Sequence, residues 1–188
     1  MYLRSQAVWQ RKLDEAIALL KKWGTYVAES TLKIIANKEV VIMPFSEFSP
    51  PDINSALKCV SSKAKRHQLK KLIKNQKNKV IKELEVEFYG FCIENRIYLH
   101  SSLAPVKLAK TLTHEVNHYL NRDEPLPEGD AGVYQNELRA LISEKLVCGR
   151  PITRQYLKTL AERVSQIYKV PLPEKITFPR GKYTVSRR

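Results

Sequence analysis

Cysteine is sparse in this chain. Cys59, Cys92 and Cys148 are the only three among 188 residues, and none of them forms a Cys-x-x-Cys pair. An odd, scattered set argues against a disulfide framework and against a cysteine zinc cage, and it suits a reducing compartment. Long apolar runs are missing too: nothing approaches the roughly 18 residues that a membrane-spanning helix needs. The opening residues, Met1-Tyr2-Leu3-Arg4-Ser5-Gln6, have no hydrophobic stretch of the kind that marks a cleaved secretion signal. The expectation is a cytoplasmic protein with no membrane span. Export without a cleaved signal, for example into a host cell, stays open. Acidic residues are few, 19 Asp plus Glu against 33 Lys plus Arg, for a formal charge of +14. That surplus favours an anionic partner (nucleic acid, an acidic membrane face or an acidic protein surface), although solubility alone also accounts for it.

Hydrophobic residues make up 43% of the chain, enough to bury a core, and there is no internal repeat or low-complexity block. Residues 5–23 carry Leu13, Ala16, Ile17 and Leu20 at helical spacing, and a second short helix is expected at about 26–37. Residues 39–45 read as a strand and 46–51 as a loop closed by two prolines. Leu84, Val86 and Phe88 alternate with Glu83, Glu85 and Glu87, a half-buried strand pattern that continues toward Ile93. After a turn at Glu94-Asn95, residues 96–100 read as the returning strand. Ser101 or Ser102 is placed to cap a helix that has Pro105 in its first turn and runs to about Asn121. Further helices are expected at about 132–148, ending at Gly149, and 152–169. The tail from Pro171 reads as irregular.

Residues 52–82 read as mostly helical, and the charge within them is one-sided. Lys58, Lys63, Lys65, Arg66, Lys70, Lys71, Lys74, Lys77, Lys79 and Lys82 follow one another with no acidic residue between. Leu57, Val60, Leu69, Leu72 and Ile73 intervene, so one side can dock while the other presents cations. A lysine-rich solvated face is the ordinary explanation. The functional one is a docking surface for an acidic partner, protein or nucleic acid. No aromatic residue lies in 58–82, which argues against a base-stacking platform.

The chemistry-bearing segment is Thr111-Leu112-Thr113-His114-Glu115-Val116-Asn117-His118. Histidines four apart on a helix share a face, so both imidazoles can converge on one metal ion. The carboxylate of Glu115 can then reach a metal-bound water. A catalytic zinc takes three protein ligands and keeps one position open. No histidine follows His118, so the third ligand must be a carboxylate. Glu137, 19 residues on and near the start of the next helix, is the leading candidate, with Glu144, Asp130, Glu128, Asp123 and Glu124 as rivals. Two hydrogen-bonded histidines on an ordinary helix would be the bland reading.

On His114, Glu115, His118 and the Asn136-Glu137-x-x-Ala140 segment, the chain resembles the gluzincins, thermolysin-like zinc peptidases. More loosely it resembles compact bacterial peptidases of the ImmA/IrrE type. The resemblance covers about residues 84–148. It implies an α+β, zincin-like fold with a small mixed or antiparallel sheet, an active-site helix and flanking helices. It implies one Zn2+ on His114, His118 and Glu137, and hydrolysis of a protein or peptide substrate with Glu115 as base, in a bacterial effector or regulatory protease. The division would be an N-terminal helical region with a short strand (1–50), a basic helical segment (51–82), a zincin-like catalytic core (83–170) and a basic C-terminal tail (171–188), all in one compact domain. The thermolysin-like pattern sets an acidic residue four after the ligand Glu to orient the first histidine. Here that position is Leu141, so Glu144, Asp130 or a backbone carbonyl must serve. Tyr134, Tyr119, Arg139 and His100 are candidates to stabilise the oxyanion. Tyr134 lies one turn from Glu137, and His100 and Arg139 are candidates for substrate contact. The resemblance also suggests a substrate cleft along residues 96–100. Two other classes compete with the peptidase reading: a nucleic-acid-binding protein using the basic segment, and a zinc-holding pseudoprotease that binds a partner.

Overall fold

A computed structural model describes residues 2–60, 62–168 and 171–172, with side chains described from Gln6 onward. Nearly all of the expected irregular tail lies outside the described residues. The architecture is mixed α and β, mostly helical, around one small sheet.

Helix α1 (Tyr2–Trp23) buries Trp9, Leu13, Ala16 and Leu20, a stripe at helical spacing. Helix α2 (Tyr26–Ala36) starts at Thr25, whose hydroxyl accepts from the Ala28 N–H. The same hydroxyl donates to the Val147 carbonyl and so ties the start of α2 to a distant part of the chain. Strand β1 (Val41–Pro44) is followed by a short 3-10 turn at Phe45–Glu47, then by α3 (Pro50–Ala56), capped by Ser49. Helices α4 (Lys63–Leu72) and α5 (Lys77–Glu87) form a hairpin.

The strand expected over residues 84–88 is the end of α5 instead. Val80, Ile81 and Leu84 are buried at helical spacing while Val86 is 81% exposed, so the alternating Leu, Val and Phe do not share a buried face. Glu83 and Glu87, one helical turn apart, both reach Lys65. The helix therefore crosses the division expected at residue 82.

Strands β2 (Gly90–Ile93) and β3 (Arg96–Leu99) form an antiparallel hairpin through Glu94-Asn95, and β1 pairs with β3 in parallel, giving the order β1-β3-β2. The pleat sorts side chains by face: Ile97 and Leu99 join α1 and α2 on one side, Tyr98 and Phe91 join Phe45, Phe48, Leu57 and α5 on the other. The sheet is thus covered on both faces. Helix α6 (Pro105–Leu120) adds Leu108, Leu112 and Val116 to the α1/α2 side. Its cap position is Ala104, not Ser101 or Ser102, because Pro105 already opens the first turn. Helices α7 (Asp130–Leu146) and α8 (Arg154–Tyr168) pack on each other through Leu138, Ile142, Leu157 and Leu160, a third core.

Candidate metal centre

Helix α6 carries two faces with different duties. Leu108, Leu112 and Val116 are sunk in the core, which fixes the helix about its axis. His114 and His118 then emerge on another face, one turn apart. Their Nε2 atoms lie 3.1 Å from each other.

Helix α7 folds back beside α6 and brings Glu137 against both rings. Its Oε2 is 3.6 Å from His114 Nε2 and its Oε1 is 3.5 Å from His118 Nε2. His114, His118 and Glu137 form a group that can hold a metal ion. Zinc bonded at about 2.0–2.1 Å in a tetrahedron sets its ligand atoms about 3.4 Å apart. The two imidazole nitrogens and the nearest Glu137 oxygen on each, a different oxygen in each case, are near that value, and the donor set of two imidazoles and a carboxylate suits zinc. The fold-back needs Gly132: a methyl group there would lie 2.0 Å from the Pro127 carbonyl oxygen, where the loop turns into α7.

Glu144, two turns beyond Glu137, meets the other nitrogen of the first imidazole. Its Oε1 is 3.0 Å from His114 Nδ1, and its Oε2 takes Lys107 Nζ at 3.3 Å. It lies outside the His114, His118 and Glu137 group and meets the first imidazole from the side, where Leu141 offers no acidic group. Asp123 and Glu124 pair with Arg122 and Arg139, and Glu128 and Asp130 are exposed.

Burial works against charge on His114, yet its interactions with the accepting carboxylates of Glu137 and Glu144 outweigh it and push the imidazole well above its usual range. Burial opposes the carboxylate of Glu137 as well, but His114 and His118 hold it below its usual value. Burial lowers His118, reinforced by the charge of His114. Three carboxylates and two imidazoles are thus enclosed together, with cationic His114 and Lys107 balancing Glu137 and Glu144.

Glu115 is 5% exposed, and burial pushes its carboxyl up to about 8, opposed by His114 and reinforced by Glu137 and Glu144. The Cys92 backbone N–H donates to it. His100 N–H bonds to the Tyr89 carbonyl across the β-hairpin, so by alternation Gly90 and Cys92 turn their backbone groups away from β3, toward α6. Gly90 makes this approach feasible. A methyl group on it would sit 2.7 Å from Glu115 Oε1 and 2.9 Å from Thr111 Cγ2. Nothing in the local pattern of the chain marks Gly90 for this role.

The centre opens into a cleft of about 380 Å³, lined by His114, Glu115, His118 and Glu137, by β2 residues, and by Arg122 and Tyr168. Tyr168, at the end of α8, donates its hydroxyl to Glu137 Oε2 at 2.7 Å. In the sequence it is one of several apolar-stripe positions of its helix, and only the packing of α8 on α7 shows where its hydroxyl goes.

The other expected residues lie elsewhere. Tyr134 is buried among Leu138, Ile142 and α8, and its hydroxyl finds no partner among the described residues. Arg139 is held by Glu124, pinning the loop before α7. The Tyr119 hydroxyl points to Glu39 at 3.5 Å. His100 Nδ1 accepts from the Ser102 N–H, and its ring packs 6.0 Å from Phe45. None of the four lines the cleft. The expected cleft along 96–100 also moves: β3 is paired on both sides, so the unpaired edge beside the centre belongs to β2. Compared with models of protein families, with curated proteins and with solved structures, the chain matches none.

Proposed function

We propose that this protein is a zinc-dependent peptidase that hydrolyses peptide bonds in a protein or peptide substrate. One observation carries the reading: His114, His118 and Glu137 converge at ligand spacing in a cleft where Glu115 is buried beside them and a strand edge runs past. His114, His118 and Glu137 hold the ion, and Glu144 fixes the first imidazole. When bound, zinc supplies Lewis-acid polarisation of a carbonyl and acidifies water. Glu115 removes a proton from the attacking water and delivers it to the leaving amine. An extended substrate backbone runs past the β2 edge within the cleft without taking the Cys92 N–H, which Glu115 already holds. Tyr168 replaces Tyr134 as the proposed oxyanion donor, since its hydroxyl already stands at the ligand carboxylate.

The test is metal content by elemental analysis of wild type beside Glu137→Ala, coupled to cleavage of a fluorescence-quenched unfolded protein. The expected result is about one zinc per wild-type chain, sharply less in the variant, with cleavage lost together with the metal. A wild type that takes up no zinc even when supplied overturns the metal reading. Zinc at full occupancy without cleavage leaves a metal-holding interaction module.

A further inference from the structure

Within the basic segment the structure separates charges that the sequence runs together. The α4/α5 hairpin is anchored through Leu69, Ile73, Val80, Ile81 and Leu84, all buried in the second core, so its orientation is fixed. At its base, where α5 ends near the cleft, Lys65 lies 3.1 Å from Glu83 and also pairs with Glu87, and Arg66 donates to the Val60 carbonyl. The base is therefore neutralised. At the other end, around the turn between α4 and α5, stand Lys70, Lys71, Lys74, Lys77 and Lys79. Four of the five are exposed and Lys77 is half-buried. None has an ion-pair partner among the described residues. At about 1.5 Å per helical residue, this tip is roughly 15 Å from the base of the hairpin. It is a second surface, independent of the cleft and of the peptidase reading.

The composition of the tip selects among polyanions. The exposed large apolar residues nearest it, Val86 and Tyr89, sit at the base, so the tip has nothing to insert into a bilayer. It lacks the Trp, Tyr and Arg that anchor protein interfaces, and lysine is depleted from such interfaces. It lacks aromatics for stacking on bases and arginines for forked contacts to base edges. Lysines alone, on the solvent side of a hairpin whose other side is packed in the core, fit the evenly charged phosphate backbone of a duplex. We infer that the tip of the α4/α5 hairpin binds the phosphate backbone of double-stranded nucleic acid without reading its sequence.

The experiment is fluorescence anisotropy with a labelled 20-base-pair DNA duplex of arbitrary sequence, titrated between roughly 50 and 200 mM salt. Three proteins are compared: the full wild-type chain, a tip variant (Lys70→Gln, Lys71→Gln, Lys74→Gln, Lys79→Gln) and a control with the same charge loss elsewhere (Lys21→Gln, Lys22→Gln, Lys33→Gln, Lys38→Gln). All eight positions are exposed, and circular dichroism checks the fold of each protein. The expected wild-type slope of log affinity against log salt is roughly −3 to −5, at about −0.9 per phosphate contacted. The tip variant should flatten that slope by roughly 3 and bind at least about tenfold more weakly, with the control near wild type. A polyglutamate chain of equal charge should compete poorly. The proposal is overturned if the wild type does not bind at the lowest salt, if tip and control variants lose affinity equally, or if polyglutamate binds through the tip as tightly as DNA. The last outcome would make the partner an acidic protein. Should the tip variant fail to fold, the wild-type slope and the polyglutamate competition still decide.

Discussion

Replacing Glu115 by glutamine keeps the shape of the side chain and removes its capacity to take a proton. The expected outcome is metal content close to wild type and a fall in hydrolysis on the order of 10²–10⁴-fold, read from initial rates at matched zinc occupancy. Glu144→Gln acts one contact further out. It weakens the acceptor at His114 Nδ1, so zinc affinity should fall about 10–100-fold in competition with a chelator while a pre-loaded sample still cuts. Gly90→Ala presses a methyl into Glu115 and Thr111 and should cost roughly 1–3 kcal/mol in urea unfolding, with hydrolysis reduced as well. These residues differ in how visible they were beforehand. The spacing of His114 and His118 states its geometry in the sequence, because helical periodicity alone puts them on one face. Glu137 was accessible through the need for a third donor. Tyr168 and Gly90 were not, since each acts through a close approach between elements far apart in the chain.

At the scale of elements, the misread end of α5 shows the weakness of a short alternating pattern. Leu84-Glu85-Val86-Glu87-Phe88 alternates, but glutamate and leucine are good helix formers, and Lys65 on the neighbouring helix rewards Glu83 and Glu87 only when they stand one turn apart. The β-hairpin was legible from its turn, whereas the parallel partner β1, over 50 residues away, fixed which strand kept an open edge. A buried network underpins that sheet. Asp52, 2% exposed, accepts from the Tyr98 hydroxyl at 2.7 Å and pairs with Arg96 at 3.0 Å. Burial raises its carboxyl, yet hydrogen bonds from Ser49 and Tyr98 and the charge of Arg96 outweigh burial and hold it below its usual value. A depressed carboxyl stabilises the fold fully above its unfolded value, about 3.9, and the contribution fades as pH falls through the lower folded value. Asp52→Ala should therefore lower stability by roughly 2–3 kcal/mol at pH 7. The gap between wild type and variant should narrow in acid, as followed by denaturant melts from pH 6 down to pH 3.

For the molecule as a whole, α6 and α7 are joined at the centre by His114, His118 and Glu137, and α7 carries α8 with it. An ion that binds only the folded chain, at a hundred times its Kd, adds about 2.7 kcal/mol. For a chain of this length that corresponds to about 5–10 °C in thermal midpoint. Chelation should lower the midpoint of wild type by that amount and leave His118→Ala unmoved; equal shifts in both would sink the ligand assignment.

The open edge of β2 has one more implication under the peptidase reading. It is four residues long, about 13 Å, and lies recessed against α6, with the Cys92 N–H already engaged by Glu115. So short and shielded an edge resists casual pairing with other chains. It also admits only a segment already stretched straight, which a native globular protein seldom offers. Cutting would then be governed by the victim's own breathing: the rate for any target would follow how often its segment opens, and a stabilising ligand on that target would protect it without ever touching this protein.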